Sequence, residues 1–331
     1  MTFHAPTRDR ETTVDMMMAL RAHARGGPER LVFEQAPVPV PGPGEALVAV
    51  HAAAITFAEL TWDLSWTTKD GRDRTPVIPS HEMTGTVARL APDAPDADDV
   101  TGVAVGDEVY GLIDFDRNGA AAEYVTVPAS DLAAKPRSVS HTQTATLPLA
   151  ALTGWQALVD YAAVEPGERV LVTGGAGGVG AFAVQLAAIF GAQVSATGRD
   201  GDADLVRGLG AETFISASET ARRDQRPGLD VVIDTVGGAA LDACYPLMRP
   251  GGRLVTLSAP PSQERAKEFS VHAMFFVVTP DPAALARLAS LVDDGQLRTI
   301  VSQTFPLRDG RQAFESGSQP RPPGKTVLIV R

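Results

Sequence analysis

At 331 residues the chain is too long for one ordinary core, so two lobes of roughly 150 residues each are expected. Its 44% hydrophobic and 21% charged residues suffice for folding without disulfides or a structural metal, and its single cysteine, Cys244, excludes an intramolecular disulfide and a multi-cysteine zinc site. A formal charge of −11 argues against unspecific binding of nucleic acid or anionic membranes, and it requires any bound phosphate to be held by local donors.

Residues 1–15, MTFHAPTRDRETTVD, are polar with mixed charge and lack the apolar stretch of a signal peptide, so they read as a flexible tail. No later run reaches the ~20 apolar residues of a membrane span, and with one cysteine the expected compartment is the cytoplasm. From residue 17 to about 135, short apolar runs alternate with Pro and Gly: MMMALRAH, RLVFEQA, EALVAVHAAAI, EMTGTVARL, GDEVYGLI and AAAEYVTVP. That pattern predicts a compact all-β lobe, with the acidic, proline-rich segment 91–99 as an exposed loop.

After residue 138 apolar strands begin to alternate with helix-length segments, as in a parallel sheet covered on both faces. Strands are predicted at 170–173, 193–197, 230–234 and 253–258, the last entered through a turn at Pro250, Gly251 and Gly252, with a β-rich run at 274–278. One helix follows in PAALARLASLVDDG, and the terminal strand at 326–330 resembles the first lobe, so the chain is expected to return there. The fold class is α/β, a doubly wound parallel sheet combined with a β-rich domain.

The most specific motif is VLVTGGAGGVGAFAVQLAAIF, in which Gly175, Gly177 and Gly180 satisfy G-x-G-x-x-G directly between a strand and a helix. Gly175 is read as the tight turn, Gly177 as the point where backbone meets a pyrophosphate, and Gly180 as the close helix–strand contact. Ala176 and Gly178 complete a loop whose free amides are expected to face the phosphates at the positive end of the helix. Val179, Phe182, Ala183, Leu186, Ala187 and Phe190 fall at helical spacing and predict one apolar face.

The second strand ends in Thr197, Gly198 and Arg199, about 20 residues past the loop, where an NAD site places a carboxylate on the ribose. A small residue followed by a guanidinium leaves room for a 2′-phosphate and offers it two donors, which points to NADP (NADPH) as the cofactor. Asp200 and Asp202 follow closely and are the alternative ribose acids.

Together with GGPERLVFEQAPVPVPGPGEALVAVHAAAI, IPSHEMTGTV, VAVGDEVYG, LPLAALTGWQAL, VIDTVGG and FFVVTPD, these motifs make the chain similar to the medium-chain dehydrogenase/reductase superfamily, within it the zinc-free quinone oxidoreductase and enoyl reductase branch. The resemblance implies a GroES-like catalytic domain at 16–137, a Rossmann domain inserted at 138–279, a return to the catalytic domain at 280–331, and an active site in the cleft between the lobes. It further implies that Thr153, Val179, Asp234, Thr235, Val236, Ser258, Phe276 and Val277 adjoin the nucleotide, that Lys325 lies near its phosphates, and that the chain is a homodimer.

Zinc-using members carry a cysteine where this chain has Thr56, a histidine matched by His81, and a third ligand for which ATLPLAALTGW offers no candidate, so no metal is expected. His81 and Glu82 are expected to form a hydrogen-bonded pair at a lobe turn. The tyrosine and asparagine common in reductases of this branch are absent from ITFAELTWDLSWTT. Candidates for the substrate side are therefore Thr56, Glu59, Trp62, Asp63 and Trp66, with Glu59, Asp63, Thr67 or water as proton donor and the two tryptophans as an aromatic wall.

The expected activity is NADPH-dependent hydride transfer to a small planar conjugated carbonyl, a quinone or an enone. The alternatives are a nucleotide-binding protein without turnover and a zinc-dependent alcohol dehydrogenase.

Overall fold

The computed structural model describes residues 15–92, 102–217 and 228–331. Most of the tail expected at 1–15 and of the acidic loop expected at 91–99 lies outside the described residues. The β-lobe contains β1 (Met16–Ala22), β2 (Leu31–Pro37), β3 (Glu45–Ala54), β4 (Glu82–Leu90), β5 (Glu108–Leu112), β6 (Tyr124–Pro128) and β7 (Ala133–Ala134). The α/β lobe follows with β8 (Arg169–Val172), β9 (Gln193–Gly198), β10 (Thr213–Ser216), β11 (Leu229–Asp234), β12 (Met248–Thr256) and β13 (His272–Phe275), after which β14 (Val301–Pro306) and β15 (Lys325–Ile329) rejoin the first lobe.

The second sheet has the order β10-β9-β8-β11-β12-β13, with every pair parallel. Its inner strands are buried on both faces, which is why RVLV and VVID are continuous apolar runs. The order reverses between β8 and β11, and the crevice beyond the carboxyl ends of those strands is where such sheets bind ligands. In the β-lobe, β3 pairs with both β4 and β6, and β15 adds antiparallel to β3, so the last strand of the chain is stitched into the first domain.

The helix Gly180–Ile189 departs from the expected single apolar face: every residue from Gly180 to Ala187 is buried, because it is enclosed by the sheet and by neighbouring helices. The turn expected at Pro250-Gly251-Gly252 lies inside β12, where Gly251 takes a left-handed φ of 77° and the pairing with β11 shifts register. The helix Pro282–Asp293 begins on Asp281, whose side chain accepts from the Ala284 N–H at 2.9 Å, and starts with proline.

That helix buries Leu285, Leu288 and Val292 in a core shared by both lobes, and β14 then pairs with β15 in the sheet of the β-lobe. Tyr110 and Leu112 of β5 reach this core, and the Tyr110 hydroxyl donates to Leu285 O at 2.5 Å, which joins the lobes through a continuous packed interior. Among the described residues no helix is long and apolar enough to cross a membrane.

Candidate active site between the lobes

A cleft of about 540 Å³ opens at the crevice between β8 and β11. The left-handed turn falls on Gly174, φ 66°, one residue earlier than the motif reading placed it. Gly175 is needed for packing instead, since a Cβ there would stand 2.8 Å from Ala196 Cβ. A Cβ on Gly180 would stand 2.1 Å from Gly174 O, so only glycine lets the helix start against the strand. Gly177 and Gly178 line the cleft with Ala176 and present bare backbone to it.

The loop is braced from beneath. Thr197 accepts the Gly174 N–H on its Oγ1 at 3.1 Å, and its carbonyl accepts the Gly175 N–H at 2.7 Å. Asp234 is fully buried and accepts from Thr173 Oγ1 at 2.7 Å, Thr256 Oγ1 at 2.9 Å and the Gly237 N–H at 3.0 Å. It therefore holds the crevice walls together, while Thr235 and the exposed Val236 line the cleft beside it.

At the end of β9, Gly198 and Arg199 line the cleft, and the structure adds Arg321, supplied from the segment before β15. Arg199 Nη2 donates to Arg321 O at 3.3 Å, and the Arg321 guanidinium lies 4.3 Å from the Phe57 ring centroid. Burial and the neighbouring Arg199 charge lower the pKa of Arg321. Asp202 accepts from Arg199 Nε at 3.1 Å, and Asp200 is hydrogen-bonded by Ser216, so both alternative ribose acids are engaged with protein groups. Arg321 carries no local motif; only the return of the chain through β15 brings it here.

On the β-lobe side lies a buried polar cluster. Glu59 Oε1 accepts the Ser80 N–H at 2.7 Å and lies 3.4 Å from His81 Nε2, while His81 Nδ1 lies 3.1 Å from Ile113 O. Ser80 is left-handed at φ 72°, and the Glu59 bond and a 2.6 Å bond from the Ala120 N–H to Ser80 O hold it there. With Nδ1–H directed at the carbonyl, Nε2 carries no proton and faces the Glu59 carboxyl. Burial pushes the Glu59 carboxyl up to about 8, opposed by the Ser80 amide, and pushes His81 down to about 4, assisted by the Arg74 charge.

Glu82 pairs elsewhere, not with His81. One of its oxygens meets Lys325 Nζ in an ion pair, and the other accepts from the amides of Leu149, at 3.1 Å, and Ala150, at 3.4 Å. Burial raises the Glu82 carboxyl, and the Lys325 charge is the largest opposing influence. Lys325 Nζ also donates to Thr56 Oγ1 at 3.2 Å, and its stem packs on the glycine loop, where a Gly178 Cβ would stand 2.8 Å from Lys325 Cδ. Lys325 thus joins the loop to the polar cluster of the other lobe.

The remaining sequence candidates separate. Trp62 is half-buried and meets Phe115 edge-on at 5.7 Å, and Phe115 lies 4.9 Å from His81. Trp66 is 2% exposed and donates from Nε1 to Leu60 O at 2.9 Å, so it is a core residue and not a second cleft wall. Asp63 has an 88% exposed side chain paired with Arg25, and Thr67 accepts from the same arginine. Thr153 is buried and donates to Leu149 O at 2.6 Å, and Ser258 sits against Gly237. Phe276 stacks on Tyr161 at 4.1 Å, Val277 is exposed, and Val179 is the half-buried residue that opens the helix.

The cleft fits a nicotinamide dinucleotide: bare glycine backbone for the pyrophosphate and two guanidiniums at one end. A zinc ion is fitted poorly. Thr56 offers a hydroxyl already bonded to an ammonium, and among the described residues no three His, Cys, Asp or Glu side chains group as a metal site.

Residues 42–137 match the alcohol dehydrogenase GroES-like domain, and residues 209–328 match the zinc-binding dehydrogenase family. The chain is 32% identical over 320 residues to a probable zinc-binding oxidoreductase, mitochondrial, of Arthroderma benhamiae, covering 91% of this chain and 93% of that one. It is 29% identical to the human NAD(P)H oxidoreductase RTN4IP1, mitochondrial, over 87% of this chain and 82% of that one. The quinone oxidoreductase structure from Coxiella burnetii superposes with a TM-score of 0.83 at 29% identity, over 96% of this chain and 100% of that one. The fold and cleft define a pyridine-nucleotide-dependent oxidoreductase, a Rossmann domain set into a GroES-like domain. The chain belongs to the medium-chain dehydrogenase/reductase superfamily.

Proposed function

We propose that the chain is an NADPH-dependent reductase of a small planar conjugated carbonyl, a quinone or an enone, and that it works without zinc. The observation that carries the reading is a lysine ammonium whose stem lies against the glycine loop: Lys325, held by Glu82 and Thr56, stands in a polar cluster whose histidine faces Glu59 and Ile113. Hydride delivery to a conjugated acceptor creates a delocalised oxyanion, which a hydrogen-bond donor stabilises without a metal. Alcohol oxidation would instead need a strong base or a bound metal to take the hydroxyl proton.

The bound nucleotide would supply the hydride from its reduced nicotinamide. Gly177 and Gly178 admit the pyrophosphate, and Arg199 with Arg321 would hold the 2′-phosphate, which supports NADPH over NADH. Trp62, half-buried and backed by Phe115, would be the apolar flank for a planar ring. The test is loss of NADPH absorbance with a panel of quinones and enones, beside nucleotide reduction with primary and secondary alcohols. Turnover of conjugated acceptors is expected; fast alcohol oxidation with inert conjugated acceptors refutes the proposal, and silence in both favours a binding protein without turnover.

The proposal extends to a homodimer. β13 ends the α/β sheet, and nearby Tyr161 and Val277 are 40% and 43% exposed, so a second copy extending that edge would cover them. Light scattering that gives the mass of a monomer refutes this part.

A further inference from the structure

Resting on the reductase reading, we propose that Thr56 Oγ1 contacts the carbonyl oxygen of the acceptor and that Lys325, behind it, is the source of the proton that oxygen receives. The other acidic candidates are turned away. Asp63 is at the surface with Arg25, Thr67 is bonded to that same arginine, and Glu59 is 2% exposed and closed in by Ser80 and His81. Thr56 is half-buried, while Lys325, bonded to it, is only 7% exposed.

The direction of the hydrogen bonds is the decisive feature. Lys325 Nζ carries only protons to give, so in its 3.2 Å contact with Thr56 it is the donor and the hydroxyl oxygen the acceptor. The hydroxyl proton of Thr56 is then free to point outward as a donor. Glu82 takes a second ammonium proton and anchors the amides of Leu149 and Ala150, so the lysine is clamped at the end of a rigid array. Its stem lies along Gly178, which places the pair beside the loop that would hold the nucleotide.

The step balances. The carbon conjugated to the carbonyl gains the hydride, the π electrons move to oxygen, and the Thr56 O–H bond breaks as a new O–H bond forms on the acceptor. Thr56 Oγ1 takes a proton from Lys325 Nζ, which leaves an amine that regains its proton from solvent as product departs. Thr56 is the catalytic residue, and Lys325 a positioning residue acting through it.

The test uses the full chain with NADP or NADPH and the variants Thr56→Val, Thr56→Ser, Lys325→Met and Lys325→Arg. Thr56→Val and Lys325→Met are each expected to lower kcat/KM for a quinone by roughly 100-fold, with NADPH affinity in Thr56→Val unchanged. Thr56→Ser is expected to stay near the parent, and the double variant to be no worse than either single one, as for two links of one relay. A readout without turnover uses 4-nitrophenol as the oxyanion probe: in the NADP complex its absorbance should show ionisation at a lower pH than in water, an effect lost in Thr56→Val and reduced to a part in Lys325→Arg.

Parent-like activity in Thr56→Val with unshifted 4-nitrophenol overturns the proposal, as does additive loss in the double variant. If the parent reduces no conjugated carbonyl, the reductase reading fails on its own, and the 4-nitrophenol comparison still decides whether Thr56 and Lys325 bind an oxyanion. Should Lys325→Met not fold, Lys325→Arg and the two Thr56 variants carry the same comparison.

Discussion

Replacing Glu59 by glutamine tests the buried cluster through the pH dependence of stability. Burial raises the Glu59 carboxyl from 4.5 to about 8, so between those values the folded protein keeps a proton that the unfolded chain has lost. Folding stability attributable to Glu59 is fully present below pH 4.5 and is lost as pH rises toward about 8. His81 has the opposite sign: with its pKa lowered from 6.5 to about 4, it removes stability as pH falls through that interval. The two slopes offset each other where they overlap, which leaves Glu59 alone between pH 6.5 and about 8. At about 1.4 kcal/mol per pH unit, that window is worth about 2 kcal/mol.

Glutamine keeps a neutral Oε1 to accept the Ser80 N–H, so Glu59→Gln should retain the fold and lose this pH dependence. The assay is urea unfolding of parent and variant across that window. The parent should lose about 2 kcal/mol relative to the variant as pH rises. Parallel curves would show that Glu59 is ionised in the folded protein and paired with a charged His81, and would remove the reasoning that both are neutral.

Arg199→Asp is expected to weaken NADPH binding by about 1.5 to 3 kcal/mol, roughly tenfold to a hundredfold, and to leave NADH little changed; equal affinities of the parent for both nucleotides in a fluorescence titration refute the assignment. Gly180→Ala forces a Cβ to 2.1 Å from the Gly174 carbonyl and should cost about 3 kcal/mol or more of stability. Gly177→Ala brings a Cβ to 3.1 Å from the same oxygen, tight but less severe, and should lower the thermal midpoint less than Gly180→Ala while losing nucleotide affinity; an unaffected affinity would mean that the loop does not hold the pyrophosphate. Elemental analysis after mild purification should find zinc well below one per chain, and stoichiometric zinc with activity lost on chelation refutes the zinc-free reading.

The sequence by itself determined the two-lobe architecture, the parallel sheet and the nucleotide loop, because these rest on local periods and on glycines whose spacing is read within one strand–turn–helix unit. Short elements such as β10 and β14, and the helices Ala203–Gly208 and Gly238–Cys244, carry too few residues for a period to stand out and were set by packing on neighbours. The glycine that takes the left-handed turn was also decided by the tertiary structure, since Gly174 and Gly175 are alike in sequence and differ in backbone conformation and in what a Cβ would strike. Likewise, Trp62 and Trp66 look equivalent along the chain, yet the one meets Phe115 and the other is spent in the core. Above all, Arg199 with Arg321, and Thr56 and Glu82 with Lys325, are contacts across more than a hundred residues, made because the last strand pairs with β3. Hydrogen bonds and charge pairs of that range leave no periodic trace in a sequence, so the composition of the site is legible there only after the chain has closed on itself.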